Sequence, residues 1–168
     1  MKKFALLIVT VFIIASCGNN TNDQLKEGKE VLTRYTNGGA QIERDYEIID
    51  GKRIAVYEWE YYEDGNVLKE GPLDENEKRH GLWKAFFRNG NVWSEGGYEN
   101  GIRQGITKTY HDNGKLFYEG EFNKAQKKGV WKFYDENGDF DYEIDYDARA
   151  KSSLKVDTAN ARLKKPSN

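Results

Sequence analysis

The chain has 168 residues, 38% of them hydrophobic, with 26 Lys and Arg against 28 Asp and Glu and a net charge of −2. Two prolines, one methionine, 17 glycines and 14% aromatic residues point to short strands and tight turns rather than helices. A single cysteine excludes an intramolecular disulfide, and a charge of −9 over residues 17–148 argues against nucleic acid as a partner of that body.

The N-terminus has the layout of a secretory signal. Lys2 and Lys3 form a positive start, Phe4 to Ala15 an apolar run, and small residues then precede Cys17. The run is too short to cross a bilayer as a helix. Ile14-Ala15-Ser16-Cys17 resembles the lipobox of bacterial lipoproteins. That resemblance implies a diacylglycerol group on the Cys17 thiol, removal of residues 1–16 as a signal peptide, and acylation of the new N-terminus. Several acyl chains hold a protein on a membrane stably, whereas one binds only marginally. The expectation is a cell-envelope protein, lipid-anchored to a bacterial membrane. Gly18 stands where some bacteria place an inner-membrane retention aspartate, which favours the outer membrane where there are two. The plainer alternatives are an ordinary cleaved signal or an uncleaved N-terminal anchor.

Residues 17–30 read as a polar tether and residues 31–147 as an internal repeat. Gly81, Gly105 and Gly129 are spaced by 24, and Gly90, Gly114 and Gly138 follow each of them at a constant offset. Gly81-Leu-Trp-Lys-Ala-Phe-Phe-Arg-Asn-Gly90 matches Gly105 to Gly114 and Gly129 to Gly138. An earlier copy spans Val56 to Gly65, and a weaker one turns at Asn37-Gly38. Such self-similarity signals units that share a core with their neighbours.

Each unit reads as a β-hairpin. Asn-Gly or Asp-Gly pairs at 37–38, 64–65, 89–90, 113–114 and 137–138 lie between alternating apolar and polar residues. A two-residue loop with both residues at positive φ predicts Trp83 opposite Gly96, Ala85 opposite Ser94 and Phe87 opposite Val92 on one face. The other face pairs Lys84 with Glu95 and Phe86 with Trp93, and the same register pairs Lys108 with Glu119 and Lys132 with Glu143. Trp83 and Trp131 share a repeat position next to small residues and read as core. Trp59 and Trp93 are less regular, lie on the Lys–Glu face in this register, and read as candidate contact residues. Phe86, Tyr110 and Tyr134 complete the candidate binding set.

Gly81-x-Trp83-x-x-Phe86-Phe87-x-Asn89-Gly90, followed by Glu95, Gly96 and Tyr98, resembles the MORN repeat in its bacterial variant form. The resemblance covers residues 53–146 and, more loosely, 31–52. It implies an all-β fold, an elongated antiparallel sheet of successive β-hairpins, with no catalytic residues. Several bacterial members look like the antitoxin side of toxin–antitoxin pairs, and eukaryotic relatives are associated with membrane attachment and scaffolding. This sequence departs from the pattern where Thr107 replaces the tryptophan, where Glu58 stands at the same position, and where Ile144 replaces the last unit's glycine. The last is what a capping repeat should show, having no neighbour on one side. The stretches 47–53 and 72–80 read as lengthened links.

Asp139, Asp141, Glu143, Asp145 and Asp147 alternate with apolar residues on the last strand. Residues two apart on a strand lie roughly 6–7 Å from one another. They do not converge as calcium ligands must. The charged strand reads instead as edge protection. His80 and His111 stand apart from any nucleophile or metal-ligand spacing, and no phosphate or dinucleotide loop occurs. No metal, cofactor or enzymatic activity is expected. Residues 149–168 carry a net +5 and end a basic tail, 148–168, read as disordered. The function expected is that of a non-enzymatic protein-interaction or scaffolding module at the envelope. An immunity-type neutraliser of a toxin is the alternative, and an envelope glycan binder or glycan-active enzyme the third reading.

Overall fold

A computed structural model describes residues 26–152. Ten strands follow one another as β1 (Gly28–Arg34), β2 (Ala40–Ile49), β3 (Lys52–Tyr61), β4 (Val67–Pro72) and β5 (Gly81–Phe86), then β6 (Val92–Glu99), β7 (Ile102–Tyr110), β8 (Leu116–Asn123), β9 (Gln126–Tyr134) and β10 (Phe140–Asp145). They form one antiparallel sheet in which spatial order equals sequence order. The hairpin array expected from the repeat is therefore the fold. β1 begins at Gly28, and Lys26 already accepts a bond from Arg53 through its carbonyl, within the stretch read as tether. Residues 146–152 are helical, where the sequence reading ends the array and starts an unstructured tail. The Asp145 carboxylate accepts the backbone N–H groups of Asp147 and Ala148 and so caps that helix.

The expected register holds in part. Trp83 pairs with Gly96, Lys84 with Glu95 and Ala85 with Ser94, but Phe86 pairs with Val92 and not with Trp93. The hairpin loop is the reason. Phe87 and Asn91 close it, and Gly90 N–H bonds back to the Phe87 carbonyl, so three residues intervene rather than two. Gly90 sits at φ +87 while Asn89 keeps an ordinary φ, and the Asn89 side chain accepts the N–H of Asn91. This is a type I turn with a following left-handed glycine. A bulge between Ala85 and Phe86 then leaves Trp93 unpaired. The longer loop shifts the register by one residue and the bulge shifts it back, so beyond the bulge the expected pairs return. The expected opposition of Phe87 and Val92 fails for the same reason.

True two-residue turns with both residues at positive φ join the units at the opposite end of the sheet. They are Asp50-Gly51, Asn100-Gly101 and Lys124-Ala125. The stretch 47–53 is thus the end of a regular hairpin and not a lengthened link. The stretch 72–80 is irregular, with Asp74 accepting the N–H groups of Asn76 and Lys78 around a tight turn.

A single sheet has little interior, and this one gathers it along a line of one face. Trp83 and Trp131 are 4% and 1% exposed, and Ala55, Thr107 and Thr109 are buried with them. Ile144 pairs with Trp131 on the final strand, where no further indole needs a glycine beneath it.

Candidate functional site

The buried face is built from a recurring unit of three groups. In the third hairpin the Arg79 guanidinium lies 4.1 Å from the centre of the Trp83 ring, and Tyr98 meets that ring edge-on at 6.4 Å. In the fifth hairpin the Lys127 ammonium lies 4.2 Å from the Trp131 ring, with Tyr146 at 5.7 Å. Cations over an indole face are attracted by its quadrupole. Each indole lies on a glycine of the preceding strand. A Cβ on Gly71 would stand 2.5 Å from Trp83 atoms, and one on Gly120 would stand 2.2 Å from Trp131. Trp83 Nε1 donates to the Pro72 carbonyl at 2.8 Å. The core assignment of both tryptophans holds.

The fourth hairpin keeps the cation, Arg103, the ring, Phe122, and the glycine, Gly96, but carries Thr107 in place of the indole. Thr107 Oγ1 donates to the Glu95 carbonyl at 3.1 Å. A groove of about 250 Å³ opens over this position, with Trp83, Trp93, Tyr98, Tyr118, Phe122 and Arg103 among its walls. Arg103 lies 5.2 Å from the Phe122 ring and 5.9 Å from Tyr98.

In the second hairpin the same position is Glu58, which pairs with Arg44 at 2.8 Å. Burial opposes the Arg44 charge, yet the bonds to Glu58 and Glu77 hold its pKa above the ordinary value.

The opposite face carries a charge ladder. Glu70, Lys84, Glu95, Lys108, Glu119, Lys132 and Glu143 are successive partners from β4 to β10. The hairpin pairs expected from the sequence therefore continue between hairpins as well. Tyr61, Tyr110 and Tyr134 donate their hydroxyls to Glu43, Glu95 and Glu119. Burial, then the hydrogen bond and charge of Glu95, push the Tyr110 hydroxyl up to about 12, and the same causes raise Tyr61 and Tyr134. Along the ladder runs a row of exposed aliphatic residues, one in each of the third to fifth hairpins: Leu82, Ile106 and Val130, which are 52%, 69% and 47% exposed.

The candidate binding residues do not form one surface. Trp59 stands between Glu43 and Glu70 on the ladder face, under the Lys29 ammonium at 3.7 Å and against Tyr57. Trp93, expected on the same face, is displaced by its bulge; it lines the groove and touches Phe87. Phe86 is half-buried and its carbonyl accepts the Tyr62 hydroxyl. Tyr110 and Tyr134 spend their hydroxyls within the sheet. Cys17, the lipid-attachment candidate, lies outside the described residues. The groove and the aliphatic row were missed, although both were present as a signal: Leu82, Ile106 and Val130 each follow a repeat glycine, and Arg79, Arg103 and Lys127 share the 24-residue period.

Together these features define a β-hairpin repeat protein with no convergent set of metal-ligating side chains among the described residues. Segments 79–100, 103–124 and 127–148 match the MORN repeat variant family, each beginning on the cation of its unit. MORN repeats are generally protein- or membrane-interaction modules and generally non-enzymatic. No curated protein and no solved structure matches the chain.

Proposed function

We propose that this chain is a non-catalytic protein-interaction module, held at a bacterial membrane by lipid on Cys17 and presenting the ladder face of its sheet to a protein partner. The observation that carries the reading is the row Leu82, Ile106 and Val130. Three aliphatic side chains remain in water at equivalent positions of successive hairpins, beside a face of alternating charge. Aliphatic side chains exposed at one repeat position mark a candidate interaction face, and the charges set among them, such as Glu121 opposite Ile106, fix the orientation of a partner. The lipid reading rests on the resemblance of Ile14-Ala15-Ser16-Cys17 to a lipobox.

The test has two arms. Cells fed an alkynyl palmitate analogue should label the protein, and Cys17→Ala should abolish the label and release the chain from the membrane fraction; undiminished labelling would remove the anchor. Cross-linking in intact cells should join the protein to one stoichiometric partner, and L82S/I106S/V130S should lose that product while keeping the native circular dichroism. An unchanged product in the triple variant would overturn the assignment of this face.

A further inference from the structure

The fourth hairpin is an indole site without its indole. In the third and fifth, a cation, an indole and a bare glycine stack in the same order. In the fourth, Gly96 is kept but is covered only by the small Thr107 side chain, and Phe122 stands where Tyr98 and Tyr146 stand. The cations differ as well. Arg79 is bonded to Glu60 and Lys127 to the Tyr146 hydroxyl, whereas Arg103 has neither an acidic nor a hydrogen-bonding partner for its guanidinium among the described residues. On the groove floor the Thr107 hydroxyl is already committed to the Glu95 carbonyl. The site therefore offers aromatic walls, a floor of small residues and the Arg103 guanidinium at its rim.

We propose that this groove takes an exposed tryptophan of a partner protein, with a neighbouring carboxylate of the same partner paired to Arg103. The inserted ring completes the stack that Trp83 and Trp131 complete in the adjacent units. The guanidinium supplies both a cation over the ring and a fork for the carboxylate. This deepens the interaction reading above and rests on it.

The test uses the whole protein, purified as cells produce it, titrated calorimetrically with acetyl-Glu-Trp-Glu-amide. Binding is expected for this peptide and absent for acetyl-Glu-Leu-Glu-amide. Acetyl-Gln-Trp-Gln-amide should bind about tenfold more weakly, the loss of one charge-assisted hydrogen bond. Arg103→Gln should show that weaker affinity for both tryptophan peptides alike. Thr107→Trp supplies the missing indole from within, so it should fold and lose binding; Thr107→Leu, a smaller filling, is the second variant should the larger ring not be accommodated. Equal affinity for the leucine peptide, or full affinity in a folded Thr107→Trp protein, would overturn the proposal. So would binding of cellohexaose in place of the peptides, which would assign the aromatic walls to a glycan. If no peptide binds while the cross-linked partner of the aliphatic row persists, the groove assignment falls and the interaction reading stands.

Discussion

The indole of Trp83 rests on the backbone of Gly71, with no room between them: a Cβ on Gly71 would lie 2.5 Å from two ring atoms and 2.6 Å from a third. Trp131 rests on Gly120 in the same way. A glycine on one hairpin and a tryptophan on the next are thus one packing element that joins neighbouring units at these two places. Gly120→Ala should cost about 1–3 kcal/mol, the range for overpacking a tight contact. Urea denaturation checks it, and Gly65→Ala serves as a comparison that loads a turn rather than a joint. A loss at Gly120 no larger than a few tenths of a kcal/mol would show that the ring moves aside.

Sequence reasoning reached this joint only half-way. The period, the hairpins and the burial of Trp83 and Trp131 were legible because repeated glycines and alternating side chains encode them directly. The strand on which each indole lies was not, since hairpin register names the partner within a unit, Gly96 for Trp83, and says nothing of the neighbour across the joint. The turn departs from the expected two-residue type for a local reason. Asn89 acts through its side-chain acceptor rather than through positive φ, which lengthens the loop by one residue and displaces Trp93. The groove is legible only as an omission, Thr107 within an otherwise complete unit. An omission acquires meaning when the groups that surround it are seen in place.

Lys124 and Ala125 form a two-residue turn at φ +49 and +64, the conformation that Asp50-Gly51 and Asn100-Gly101 supply with a glycine in second place. Left-handed backbone costs a residue with a Cβ roughly 1–2 kcal/mol. Ala125→Gly should therefore stabilise the protein by about 1 kcal/mol, less the added entropy of the unfolded chain. The thermal midpoint should rise. A lower midpoint would mean that the alanine methyl makes a contact worth more than its strain.

Tyr110 ties β7 to β6 through its 2.7 Å bond to Glu95, and its hydroxyl titrates near 12 because burial and that carboxylate favour the neutral form. An unfolded tyrosine titrates near ~10. The folded state therefore holds the proton more tightly, and this contribution is fully present below pH ~10 and fades as the pH rises through 12. Tyr110→Phe should lower stability at neutral pH by about 1 kcal/mol. It should also make the alkaline decline shallower, read from urea midpoints across that interval. Phe86 already occupies the equivalent position, so the ring itself is tolerated. A decline as steep in the variant as in the native chain would place the alkaline sensitivity elsewhere.

Arg44 and Glu58 replace the indole joint of the second hairpin with an ion pair whose side chains are only 20% and 12% exposed. Removing one partner leaves the other charge among poorly solvated surroundings, a larger loss than the pair's own net worth. Arg44→Met should cost about 2 kcal/mol, towards the low side because the site keeps some water. The double variant R44G/E58W removes the stranded carboxylate and places an indole where the third and fifth hairpins have one, with a glycine opposite it on the preceding strand as Gly71 and Gly120 are for Trp83 and Trp131. Recovery of most of the stability lost in Arg44→Met, measured by the same denaturant midpoints, is the expected result. If R44G/E58W is no more stable than R44M, the second hairpin is specified by its ion pair and cannot be converted into the joint used by its neighbours.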